Sequence, residues 1–124
     1  TKRLRDQLEI TVKFSDFLEK DGFLGDCNWE DNHYRPREFT LNINRQGKLN
    51  QILNTVAHEM VHVKQYVKRE LTHNERKKLS RYKGEVVKND LIYWELPWEI
   101  EAYGREWGLY KMFCNQLKQE RLSS

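Results

Sequence analysis

From about Lys48 to Leu71, apolar residues recur at the three- and four-residue spacing of one helical face: Leu49, Ile52, Leu53, Val56, Met60, Val63 and Val67. The spacing predicts the clearest helix of the chain. Just before it, Phe39, Leu41 and Ile43 alternate with Thr40, Asn42 and Asn44, the period of a half-buried strand, and Arg45-Gln46-Gly47 breaks it. A short strand is expected around Leu24 to Trp29, followed by a turn-rich loop from Glu30 to Arg37. After a polar connection from Thr72 to Ser80, Glu85-Val86-Val87 and Leu91-Ile92-Tyr93 flank Lys88-Asn89-Asp90 and predict a β-hairpin. Pro97 stands where a helix begins. That helix is expected from Trp98 to about Gln119, with Ile100, Tyr103, Trp107, Tyr110, Cys114 and Leu117 as its buried stripe.

The first twenty residues carry two periods at once. Leu8, Ile10, Val12 and Phe14 alternate as in a strand, while Leu4, Leu8 and Val12 share a helical face, as do Phe14, Phe17 and Leu18. Lys20-Asp21-Gly22 is a good helix stop, and a helix of about four or five turns is the expectation.

Length and composition narrow the class. A chain of 124 residues suits one domain, 1–124, with a single core. With 38% hydrophobic and 33% charged residues, a soluble globular protein is expected. Apolar runs are only a few residues long, so no span of a membrane is expected. Thr1 to Arg5 lead into mixed charge rather than an apolar leader. Cys27 and Cys114 form no CxxC pair and read as reduced thiols in an intracellular protein. Charge is uneven: Lys64 to Lys83 holds eight Lys/Arg against two Glu, within a chain of net +3. The first reading of that stretch is a solvated helix end and loop; the alternative is a surface for weak nucleic-acid contact.

Candidate chemistry lies on the central helix, where His58-Glu59-Met60-Val61-His62 is an HExxH pattern. Histidines four apart lie one helical turn apart on one face, so both imidazoles reach one zinc ion at roughly 2.0–2.1 Å. At about 100° per residue they point away from the apolar stripe, so one side of the helix meets a sheet and the other lines a cleft. Glu59 is placed as general base toward a zinc-activated water attacking a peptide carbonyl. Catalytic zinc sites usually add a third protein ligand. The metzincin position six residues beyond His62 is Lys68, which fails. His73, Glu99 and Glu101 remain. Glu99 and Glu101 differ by about 200° around their helix, so only one faces the metal. Glu101 shares its face with Gly104 and Gly108, which allow close helix approach, and is the preferred ligand; Glu99 and His73 stay open. Oxyanion donors are open among His73, Tyr82, Tyr93, Tyr103 and Arg105. Tyr93, Trp94, Trp98 and Trp107 read as core before substrate subsite.

At these residues the chain resembles the gluzincin zinc metallopeptidases, which pair HExxH with a glutamate on a following helix; thermolysin-like members carry that glutamate directly before an alanine, as Glu101-Ala102 does here. The compact layout also resembles small SprT-like metallopeptidases, including phage-encoded ones. The similarity spans roughly Phe39 to Tyr110 by motif order. Two positions depart from these patterns: His73 is followed by Asn74 rather than glycine, and Arg105 stands where thermolysin-like enzymes orient a histidine with aspartate. The resemblance implies an α+β zincin-like domain, a short mixed or antiparallel sheet packed on a central metal-binding helix and a C-terminal helix. It implies a zinc metallopeptidase acting on protein or peptide substrates, expected as a cytoplasmic monomer; since strand Phe39–Ile43 precedes the metal helix, its free edge is expected to pair with an extended peptide. The SprT-like alternative is a nucleic-acid-associated protein, either a protease of DNA-bound proteins or a non-catalytic module.

Overall fold

The computed structural model describes residues 6–16, 24–31, 35–74, 76–88 and 90–123. Their architecture is α+β: a mixed three-stranded sheet, a central helix, an antiparallel three-stranded sheet and a long C-terminal helix. In chain order these are β1 (Glu9–Ser15), β2 (Gly25–Trp29), β3 (Glu38–Asn44), α1 (Leu49–Val67), β4 (Leu71–Asn74), β5 (Leu79–Tyr82), β6 (Glu85–Val87), a 3-10 turn (Tyr93–Glu95) and α2 (Pro97–Ser123).

The first sheet has the order β1-β3-β2. Its central strand, β3, buries Phe39, Leu41 and Ile43 on one face, as their alternation predicts. Those side chains meet Val63 and Val67 of α1, with Ile10, Trp29, Ile52 and Tyr66 around them. β1 runs parallel to β3 over seven residue pairs, from Glu9 opposite Glu38 to Ser15 opposite Asn44. The N-terminal helix expectation therefore fails over these residues, while its stop at Lys20-Asp21-Gly22 lies outside the described ones. Either local period was available to this segment, and the exposed backbone edge of β3 decided for the strand. β3 in turn has a neighbour on both sides, so its edge is not free, contrary to expectation; β1 and β2 are the strands at the sheet's two edges, and β2 is the one that passes the central helix's histidine face.

α1 begins after Gly47 at φ 107, with the Gln51 side chain accepting the Lys48 N–H at 3.1 Å. It ends four residues earlier than the apolar period suggests. Arg69 turns left-handed at φ 60, and the amides of Arg69 and Glu70 return to the carbonyls of Tyr66 and Gln65. This satisfies two terminal carbonyls and releases Leu71 into β4. The apolar stripe is only part of what α1 buries. Leu49 is 69% exposed, whereas His58, Val61, His62 and Gln65 are all buried. The sheet covers one side of α1, and α2 covers the side carrying the histidines.

The hairpin between Leu91–Tyr93 and Glu85–Val87 does not form. β6 instead pairs back onto β5 through Lys83 (φ 50) and Gly84 (φ 86). Two successive positive φ values make the turn that matches strand twist. Thr72 to Ser80, read as a polar connection, contributes β4 and the start of β5.

α2 starts at Pro97, as expected, but most of its expected buried stripe faces outward, with only Tyr110 and Cys114 half-buried. Ile100 and Trp107 are exposed, Trp107 by 59%, and Ala102 is fully buried against α1. Gly104 and Gly108 do not mediate the helix approach, because a Cβ on either would meet nothing within 4 Å. Among the described residues no helix is long and apolar enough to cross a membrane, and Cys27 and Cys114 are both free.

Helical, exposed glycines with open space around them cost backbone entropy for no packing return. Gly104→Ala and Gly108→Ala are each expected to stabilise the protein by about 0.5–1 kcal/mol, read by chemical denaturation.

Candidate metal centre

α2 packs on α1 with Ala102 fully buried, and the residues sharing the Ala102 side of α2 come to rest on the histidines. Those are Glu99, three residues before, and Glu106, four after. Glu99 Oε1 lies 3.0 Å from His58 Nε2 and 3.1 Å from His62 Nε2, with all three residues buried. The two imidazoles stand nearly perpendicular, centroids 5.0 Å apart. His58, His62 and Glu99 form the group among the described residues able to hold a metal ion.

Glu101 is the correction. Its carboxylate accepts from Lys64 Nζ at 2.7 Å, Gln65 Nε2 at 2.8 Å, Tyr82 O–H at 2.8 Å and Arg105 Nε at 2.9 Å, away from the histidines. Burial alone would raise its pKa, but these donors hold it down at about 2. The expectation went astray on the glycines: close approach is made at alanine, about 100° from Glu101 and on the Glu99 side. His73 is also elsewhere, its Nδ1 2.7 Å from Ser80 Oγ, among the rings of Trp29, Tyr66 and Trp98.

Each imidazole presents its other nitrogen to an acceptor. His58 Nδ1 lies 3.0 Å from Glu106 Oε2, and His62 Nδ1 lies 2.8 Å from Gln65 Oε1. Neither partner is apparent from the HExxH pattern, although Gln65 follows His62 by three residues and Glu106 shares the helical face of Glu99. These contacts test whether a metal fits. A neutral histidine donating from Nδ1 has a bare lone pair at Nε2. Two such lone pairs then converge on one carboxylate oxygen, which is repulsive without positive charge between them. Ligand atoms around a tetrahedral zinc stand roughly 3.3 Å apart, close to the separations here. Without an ion, protons must take that place. Burial lowers the His62 pKa, yet Glu99 outweighs it and the net shift is upward. For Glu99, burial opposes ionisation, but the bonds from His58 and His62 hold it at about 2. The donor set fits a divalent cation.

Glu59 is buried beside the pair, where desolvation pushes its carboxyl up to about 7 against the opposing pull of His62 and His58. Two cavities flank the group. One, of about 700 Å³, is lined by His58, Glu59, Tyr93, Trp94 and the amides of Asn44, Gln46, Gln51 and Asn54. The other, of about 290 Å³, is lined by Gly25, Cys27, Glu59, His62, Tyr66 and Glu99. Tyr93 and Gly25 line both. Of the oxyanion donors left open, Tyr82 and Arg105 are engaged with Glu101. Tyr93 is at the site: its O–H donates to Glu99 Oε1 at 3.1 Å and meets the Tyr103 hydroxyl at 3.2 Å. Of the four aromatics expected in the core, Tyr93 and Trp94 line the larger cavity and Trp98 the smaller, whereas Trp107 touches neither.

Comparison with known proteins finds no relative: no protein-family model, no curated protein and no solved structure matches this chain.

β2 passes so close to the site that only glycine fits. A Cβ on Gly25 would stand 2.9 Å from Thr55 Cγ2, 3.0 Å from the Asn42 carbonyl oxygen and 3.3 Å from Glu59 Oε2. Gly25→Ala is expected to cost about 1–3 kcal/mol by overpacking, read by denaturation.

Proposed function

We propose that this protein is a zinc metallopeptidase of gluzincin type, with His58, His62 and Glu99 as metal ligands and Glu59 as general base. The observation carrying this reading is the convergence of two imidazole nitrogens and one carboxylate oxygen beside a buried glutamate, at a wall shared by two cavities. His58, His62 and Glu99 would hold zinc, which when bound would supply Lewis acidity toward a water and a substrate carbonyl. Glu59 takes the proton of the attacking water and returns it to the leaving amine. The Tyr93 O–H, which donates to Glu99 Oε1, would turn to the developing oxyanion during the reaction. Substrate lies extended along the outer edge of β2, the strand whose own backbone Gly25 brings close to Glu59. This takes over the role first given to the Phe39–Ile43 strand.

Glu59→Gln is expected to bind zinc as the unsubstituted chain does and to lose about 10²–10⁴-fold in hydrolysis of an unfolded protein substrate. Glu99→Ala is expected to lose zinc, read by elemental analysis after dialysis. Full activity in the first variant, or stoichiometric zinc in the second, removes those residues from these roles.

A second reading, a nucleic-acid-associated protease of SprT-like kind, draws on the exposed cations Lys68, Arg76, Lys77, Lys78, Arg81 and Lys83 at the end of α1 and on the second sheet. Lys64 does not join them, being paired with Glu70 and Glu101 at 2.7 Å each. Salt-dependent retention on DNA is the expected mark of this reading, and passage unretained at low salt counts against it.

A further inference from the structure

We propose that Glu101 and Gln65 form a relay that sets the metal affinity of His62, although neither touches the metal. The inference rests on the metal site proposed above and concerns how one of its ligands is aimed.

Gln65 is 0% exposed, so each of its amide atoms needs a protein partner. Its Nε2 donates to the Trp98 carbonyl oxygen at 2.9 Å and to Glu101 Oε1 at 2.8 Å. Both are acceptors only. Turning the amide over would set its own oxygen against a carboxylate and a carbonyl, so the orientation has one solution. The Gln65 oxygen must then face His62 Nδ1, 2.8 Å away, and that nitrogen must carry the proton. His62 is left to offer Nε2, the atom beside Glu99 Oε1.

Glu101 can impose this because it cannot turn away. Lys64 and Arg105 hold its Oε2, while Gln65 and the Tyr82 hydroxyl hold its Oε1. The donors come from α1, α2 and β5. The second sheet is thereby wired to the metal helix through Tyr82. His58 is arranged differently, with the Glu106 carboxylate directly on its Nδ1. For His62 the negative charge stands one amide further back.

An amide-carboxylate exchange separates a relay from a simple acceptor. Gln65→Glu keeps an acceptor for His62 but sets two carboxylates against each other. It is expected to lower zinc affinity by about 10–100-fold, measured by chelator competition on the full chain. Adding Glu101→Gln restores a donor toward position 65 and still accepts from Lys64 and Arg105, so the double variant is expected to recover most of the loss. In the zinc-loaded, ¹⁵N-histidine-labelled unsubstituted chain, His62 is expected to show a protonated Nδ1, and that signal is expected to broaden or shift in Gln65→Met. Undiminished zinc affinity in Gln65→Glu, or a folded double variant binding no more tightly than the single, overturns the relay while leaving the metal site standing. Should Gln65→Glu not fold, a folded double variant with near-normal affinity supports the relay, and loss of folding in both alongside unchanged affinity in Gln65→Met overturns it. An unsubstituted chain that takes up no zinc overturns the metal site, and the relay falls with it.

Discussion

The contact of Glu99 Oε1 with both imidazole Nε2 atoms organises everything around it. Burying a carboxylate costs several kcal/mol unless charge and hydrogen bonds compensate it. Here a carboxylate and two imidazoles are buried together, each meeting the others' need. Glu99 is held ionised by the histidines, His62 is held toward its protonated form by Glu99, and a divalent cation at the same point would serve all three. Removing Glu99 would leave both Nε2 atoms without their shared carboxylate, while Glu106 and Gln65 would still meet the Nδ1 atoms. Such a group demands a close, well-aimed crossing of α1 by α2, and the fully buried Ala102 provides it.

The rest of the polar interior follows from that crossing. α1 buries a polar face in addition to its apolar one, so His58, His62 and Gln65 require partners from α2, found in Glu106, Glu99, Glu101 and the Trp98 carbonyl. Polar networks of this kind stabilise a unique arrangement only when every member is satisfied. Close to the site, β2 contributes mainly absence: a glycine where any side chain would push on Glu59 and Thr55. The 3-10 turn places Tyr93 at the junction of both cavities, so the segment introducing α2 also shapes the walls of the site.

Where local pattern and structure part company, a backbone partner or a helix rotation is the cause. Val12 and Phe14 suited strand or helix alike, and seven pairs between β1 and β3 settled them as strand. Glu85–Val87 was open to pairing with the Leu91–Tyr93 run that follows it, and the paired positive φ values at Lys83 and Gly84 turned it toward β5 instead. The stripe from Ile100 to Leu117 is regular, yet α2 is rotated so that the face of Glu99, Ala102 and Glu106 meets α1. Gly104 and Gly108, beside Glu101, face open space, whereas the buried side of α2 is that of Ala102 and Glu99.

What the amino-acid order determined unaided was short-range: the histidines one turn apart with Glu59 between them, the alternating strand from Phe39 to Ile43, the central helix and the start of the last helix at Pro97. Each rests on backbone periodicity and stereochemistry that act within a few residues. Tertiary structure alone decided which glutamate meets the imidazoles, which strand lies at the sheet's centre and which side chains orient the ring nitrogens. Those outcomes depend on how one helix is rotated against another, and that rotation is selected by packing and by satisfying buried polar groups across segments more than thirty residues apart.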